Sequence, residues 1–181
     1  LEDPKEREQA LQGAFQGWAD LDPQAAADFY FSMSPEERQQ DWHGAARPLF
    51  GALAKADPQQ ALDYANALEE GERRNAYRSI AQEWARYDAY ETSAWLDSLN
   101  GGPERDQAVG AFINQIRRTD PESAFLWSLS IGDDNARKNE LRNSFRELAQ
   151  RDPALARDYY NSGDLSDDER QSLSGYLPDG D

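Results

Sequence analysis

Five times along this chain an Asp introduces the same short word, followed by Pro on four occasions: Asp22-Pro23, Asp57-Pro58, Asp88-Ala89, Asp120-Pro121 and Asp152-Pro153. The intervals are 35, 31, 32 and 32 residues. Four residues before each Asp stand Trp18, Leu53, Trp84, Ile116 and Leu148; seven before stand Phe15, Phe50, Ala81, Ile113 and Phe145. Eleven before stand Leu11, Ala46, Tyr77, Val109 and Leu141. These offsets share one face of a 3.6-residue helix, so the segment before each Asp is an amphipathic helix A. Four residues after the Asp come Ala26, Ala61, Thr92, Ala124 and Ala156, and seven after come Phe29, Tyr64, Trp95, Trp127 and Tyr159. That second face defines a shorter helix B. The Asp is its cap, because a carboxylate accepts from orphan amides and Pro at the first helical position has no amide to leave unpaired.

Between units the chain reads Ser34-Pro35, Glu70-Gly71, Asn100-Gly101-Gly102-Pro103 and Gly132-Asp133-Asp134, which is turn chemistry. Each unit is thus expected to be a helical hairpin, and such a unit buries its apolar stripe only by stacking on a neighbour. The expectation is an all-α solenoid forming one domain over residues 1–181. Its repeats fall near 6–34, 35–70, 71–101, 102–133 and 134–163, with a capping helix over 165–177. Leu165, Leu173, Tyr176 and Leu177 are available to close the stack, Ser166 and Glu169 have capping-box spacing, and the tail Pro178–Asp181 is expected to be loose. Trp84 and Trp95 fall on the buried offsets of a central unit and are expected to be largely buried.

At this point the chain resembles the tetratricopeptide-like helical-repeat families, in particular bacterial arrays with a W-A-x-x-D-P-x-x-A-x-x-W repeat. The likeness is carried by Trp18-Ala19-Asp20-Leu21-Asp22-Pro23 and by Trp84-Ala85-Arg86-Tyr87-Asp88 through Trp95. The resemblance implies a right-handed superhelix that grips a peptide or protein on its concave side.

Composition narrows the partner. Nineteen Lys and Arg stand against 35 Asp and Glu, a formal net charge of −16. Nucleic-acid backbones and anionic membrane surfaces are poor partners for such a chain, because both are bound through clustered cations. No run approaches the roughly 20 apolar residues of a membrane span. Without Cys and with one His, thiol chemistry and most metal sites are excluded, and no cofactor is expected. Sixteen of the basic residues are Arg, a bias that fits a GC-rich or salt-adapted bacterium. The chain begins at Leu1, so an upstream signal or anchor is compatible with it, and an extracytoplasmic location is slightly favoured.

Most candidate chemistry reads as structure. His43 has no orienting carboxylate or nucleophile at a useful spacing. The acids Asp164, Asp167, Asp168 and Glu169 lack calcium-loop spacing, and carboxylates suit a helix start without a metal; Asp133 and Asp134 read the same way. Arg7, Arg73, Arg105 and Arg137 lie 15 before the Asp of their units and are expected to pair with carboxylates of the neighbouring unit.

One face departs from the acidic background. Offsets −13, −10 and −6 carry Gln9, Gly44, Asn75, Gln107 and Asn139; Gln12, Arg47, Arg78, Gly110 and Arg142; and Gln16, Gly51, Gln82, Asn114 and Arg146. None is acidic. By the resemblance these positions line the concave surface, where amides and arginines suit a peptide backbone or a carboxylate. The candidate site is therefore Asn75, Arg78, Gln82, Gln107, Asn114, Asn139, Arg142 and Arg146. The expected function is a non-enzymatic scaffold for a protein or peptide, with an acidic or C-terminal segment favoured. The alternative is an α/α enzyme or ligand-binding domain using clustered carboxylates for sugar or metal chemistry.

Overall fold

A computed structural model describes residues 4–41 and 44–177, with side chains over 10–38 and 44–177. His43, the side chains of Arg7 and Gln9, and the tail from 178 lie outside these. The described residues form twelve α-helices and no strand: α1 Pro4–Leu21, α2 Pro23–Ser32, α3 Pro35–Asp41, α4 Ala46–Ala56, α5 Pro58–Asn66, α6 Glu70–Trp84, α7 Ala89–Ser98, α8 Pro103–Ile116, α9 Pro121–Leu129, α10 Asp134–Arg151, α11 Pro153–Asn161 and α12 Asp167–Leu173. A 3₁₀ turn, Ser174–Tyr176, follows. No helix among the described residues is long and apolar enough to cross a membrane.

Each repeated Asp ends one helix and begins the next. Its N–H donates to the carbonyl four residues back at 2.7–2.9 Å, closing helix A. Its own φ then swings to between −138° and −154°, and its carboxylate accepts from the N–H three residues on at 2.9–3.1 Å. At α1/α2, α4/α5 and α10/α11 this single residue serves both helix ends and stands at the corner without a loop, whereas at α6/α7 and α8/α9 a three-residue turn, 85–87 and 117–119, precedes it. Asp120→Ala is expected to cost about 1 kcal/mol in urea unfolding and Asp120→Asn only a fraction of that, since the amide oxygen still accepts. At the opposite end of one hairpin, Gly102 caps α8 with φ 145°, a backbone state that side chains disfavour.

The residue four after each Asp is fully buried in all five units, at 0% exposure: Ala26, Ala61, Thr92, Ala124 and Ala156. It lies where helix B crosses helix A, and only a small side chain lets the two approach closely. Helix pairs α1/α2, α4/α5, α6/α7, α8/α9 and α10/α11 each pack together, and α4, α6 and α8 pack successively along one another. The 35-residue interval is explained by α3, an additional short helix before α4.

Four expectations of burial need correction. Leu11 and Trp18 sit on the α1 stripe yet are 48% and 37% exposed, because α1 has only α2 and α4 against it among the described residues. Trp84 and Trp95 are half-buried. They stack on each other at 6.0 Å between centroids and pack on the core from its edge. Ile80, one turn before Trp84, and Leu96, next to Trp95, are fully buried and fill the interior instead.

The arginine row is architectural, as expected, but its register differs. Arg38, Arg73 and Arg137 each donate to a carbonyl at the end of the preceding hairpin: Met33 at 2.8 Å, Leu68 at 3.1 Å and Leu129 at 2.9 Å. Each also reaches a Glu at the start of a later helix: Glu72 at 2.9 Å, Glu104 at 2.7 Å and Glu169 at 2.6 Å. Arg38 escapes the −15 spacing because of the longer first interval, 35 residues from Asp22 to Asp57. Arg105 finds Ala136 where the next Glu would stand, and donates to Ser130 (carbonyl 3.0 Å, hydroxyl 3.3 Å) and the Leu96 carbonyl instead. Glu169 also completes the Ser166 capping box, which accounts for much of the C-terminal acidic cluster.

Candidate functional site

Seven of the eight candidate residues are exposed, and Gln82 is half-buried. Asn75 and Asn114 donate their amides back to Gly71 (3.4 Å) and Gly110 (2.8 Å) of their own helices. Three adjoining hollows run across the helix-A surface. One of about 360 Å³ is lined by Gln16, Arg47, Ser79 and Gln82. A second, of about 410 Å³, adds Gln12, Asn75 and Arg78. A third, of about 540 Å³, joins Arg78 and Gln82 to Gln107 and Asn114. Gln82 borders all three, so α6 is their shared wall.

Asn139, Arg142 and Arg146 line none of these hollows. Arg142 donates to Asn139 on its own helix. In their place α10 offers Ala136 and Glu140. The cause lies in packing. Helices α4, α6 and α8 lie close along one another, whereas α10 packs chiefly on α9 and touches α8 lightly. The residue twelve before the repeated Asp is Ala45, Ala76 and Ala108 in the close-packed units, each buried, and Glu140 in α10. A carboxylate cannot enter the tight seam an Ala fills, so the seam opens into the largest of the three hollows.

Glu140 is the functional candidate the offset analysis missed. Its signal was present in the sequence, as the one acid at a position that elsewhere is Ala. Its Oε2 is buried and makes no hydrogen bond. Burial pushes its carboxyl above the ordinary value, against the opposing charge of Arg117 and a hydrogen bond from Asn114. The other carboxylate of this hollow, Asp106, accepts from the N–H groups of Gly132 (3.0 Å) and Asp133 (2.9 Å) and is committed to that loop.

These carboxylates have opposite effects on stability. Arg38's hydrogen bonds hold Glu72 below the usual range despite its burial. Burial alone would raise Glu169, but the Ser166 N–H and hydroxyl and the Arg137 guanidinium outweigh it and hold it low. The stability both contribute is present above about pH 4.3 and is lost as pH falls through their depressed folded values. Glu140, raised, destabilises at neutral pH and is relieved as pH falls through its folded value toward about 4.3. Glu140→Gln should therefore melt higher than the wild type at pH 7, and the gap should narrow as the pH falls through the folded value of Glu140 and vanish below about 4.3. A gap independent of pH would show that Glu140 is not the group responsible.

Comparison with protein-family models, curated proteins and solved structures returns no match. The functional reading rests on the site itself.

Proposed function

We propose that this chain is a non-enzymatic scaffold that holds an extended peptide segment of a partner protein. In this reading the hairpins form a right-handed superhelix of five helix–turn–helix repeats closed by α12, similar to tetratricopeptide-like arrays. The observation that carries it is the run of three hollows with α6 as common wall, polar over most of its lining. Packed helices lie roughly 10 Å apart and an extended peptide advances about 3.3 Å per residue, so each unit meets about every third residue. Gln82, Gln107 and the side-chain oxygens of Asn75 and Asn114 serve backbone groups, while Arg78 serves an acidic or C-terminal group. Arg142, Arg146 and Asn139 extend the same polar face beyond the hollows. No metal or cofactor is needed. The alternative, carboxylate-based chemistry on sugars, calls for two cooperating acids, and Asp106 is already engaged beside Glu140.

The test is retention of a degenerate decapeptide pool on the immobilised chain, with the bound peptides sequenced by mass spectrometry. Arg78→Glu is expected to reduce retention at least about tenfold and to remove acidic residues from the retained set, because it replaces charge-assisted hydrogen bonds with repulsion. The double variant Arg142→Glu/Arg146→Glu is expected to weaken it less. Unchanged retention in both variants would place binding elsewhere.

A further inference from the structure

We propose that the hollow between α8 and α10 receives a basic side chain, a lysine of the bound peptide, with Glu140 as its counter-charge. This rests on the groove reading above and specifies what one part of the groove selects. Three observations converge on it. The Glu140 Oε2 is buried without a hydrogen-bond partner on the wall of a hollow of about 540 Å³. The architecture does not demand an acid there, since Ala45, Ala76 and Ala108 hold the equivalent position in three other units. And the hollow combines an apolar flank, Ala111, Ile131 and Ala136, with the carboxylate, which suits a methylene stem ending in an ammonium.

The surrounding charges favour the same occupant. Asp106, on the same hollow, has both carboxylate oxygens bonded to the Gly132 and Asp133 N–H groups, so Glu140 Oε2 is the carboxylate oxygen left without a partner there. Arg78 stands on the α6 wall and steers a cation toward the α10 side. Arg117 acts on Glu140 through its charge, but no ion pair joins them. With one oxygen left unpartnered, a point-charge ammonium matches the site without the two acceptors a guanidinium fork prefers. Pairing in a partly desolvated hollow is stronger than in open water, and an unpaired buried carboxylate is costly until it is filled.

The experiment uses the whole chain and three fluorescent decapeptide pools, degenerate except for a central Lys, norleucine or Glu, read by anisotropy. A separate titration with n-butylammonium is followed through the Glu140 carboxyl ¹³C shift. The Lys pool is expected to bind about tenfold more tightly than the norleucine pool, and Glu140→Gln to abolish that preference while leaving norleucine binding unchanged. Glu140→Ala, which restores the residue of the other units, should do the same and melt above the wild type. On adding the Lys pool the Glu140 titration should move to lower pH. Equal binding of all three pools, or a preference surviving Glu140→Gln, overturns this inference and leaves the peptide groove standing. Binding of n-butylammonium with no binding of any pool overturns the peptide as occupant and the groove with it. No response to any probe overturns both readings.

Discussion

Arg38→Met is expected to lower the free energy of unfolding by about 3–5 kcal/mol. The Arg38 and Glu72 side chains are only 8% and 11% exposed. Two parallel hydrogen bonds join them, at 2.9 and 3.0 Å. Tyr30 donates to the same carboxylate at 3.1 Å, and the guanidinium lies over the Tyr30 ring at 5.4 Å. Removing the cation strands a desolvated carboxylate among aromatic groups. The double variant Arg38→Met/Glu72→Met should recover much of the loss, because it removes both charges and leaves packing volume. Arg73 and Glu104 make a similar pair at 28% and 27% exposure, so Arg73→Met should cost only about 1 kcal/mol. Urea midpoints at constant m-value decide both cases, and a loss below about 1 kcal/mol for Arg38→Met would mean that water reaches the pair.

Phe145→Ala should cost about 3–5 kcal/mol. Its ring is fully buried, 5.7 Å from Phe125 and 6.4 Å from Tyr160, in the cluster that α9, α10, α11 and α12 share. Trp95→Ala removes a larger side chain and should nonetheless cost less, because half of the indole environment is already at the core's edge. Reversal of that order in denaturant unfolding would put the interior of the stack at Trp95 and its margin at Phe145. Because Phe145 anchors α10 on α9, its loss should also loosen the wall that carries Glu140, and Lys-peptide preference should weaken with it.

The helix pairs were legible in the residues themselves. Each Asp corner is built from hydrogen bonds spanning three and four residues, so Asp-Pro spacing alone places the helix starts at Pro23, Pro58, Ala89, Pro121 and Pro153. The small residue four beyond each corner was equally readable, since one helix crossing makes the same steric demand five times. The polar character of the helix-A face was also visible, and the hollows gather Asn75, Arg78, Gln82, Gln107 and Asn114 as the offsets implied. What repetition could not specify is how far apart successive units stand and how each is rotated. Those depend on the fit of whole helix faces some thirty residues apart in the chain, where one exchange of Ala for Glu at position 140 opens a seam. In α10, where Glu stands at position 140, the helix packs chiefly on α9, Asn139, Arg142 and Arg146 lie away from the hollows, and a carboxylate with one unpartnered oxygen stands in their place. Local hydrogen bonds repeat wherever the local word repeats, but interhelical packing is a sum over many contacts and changes with the least conforming member.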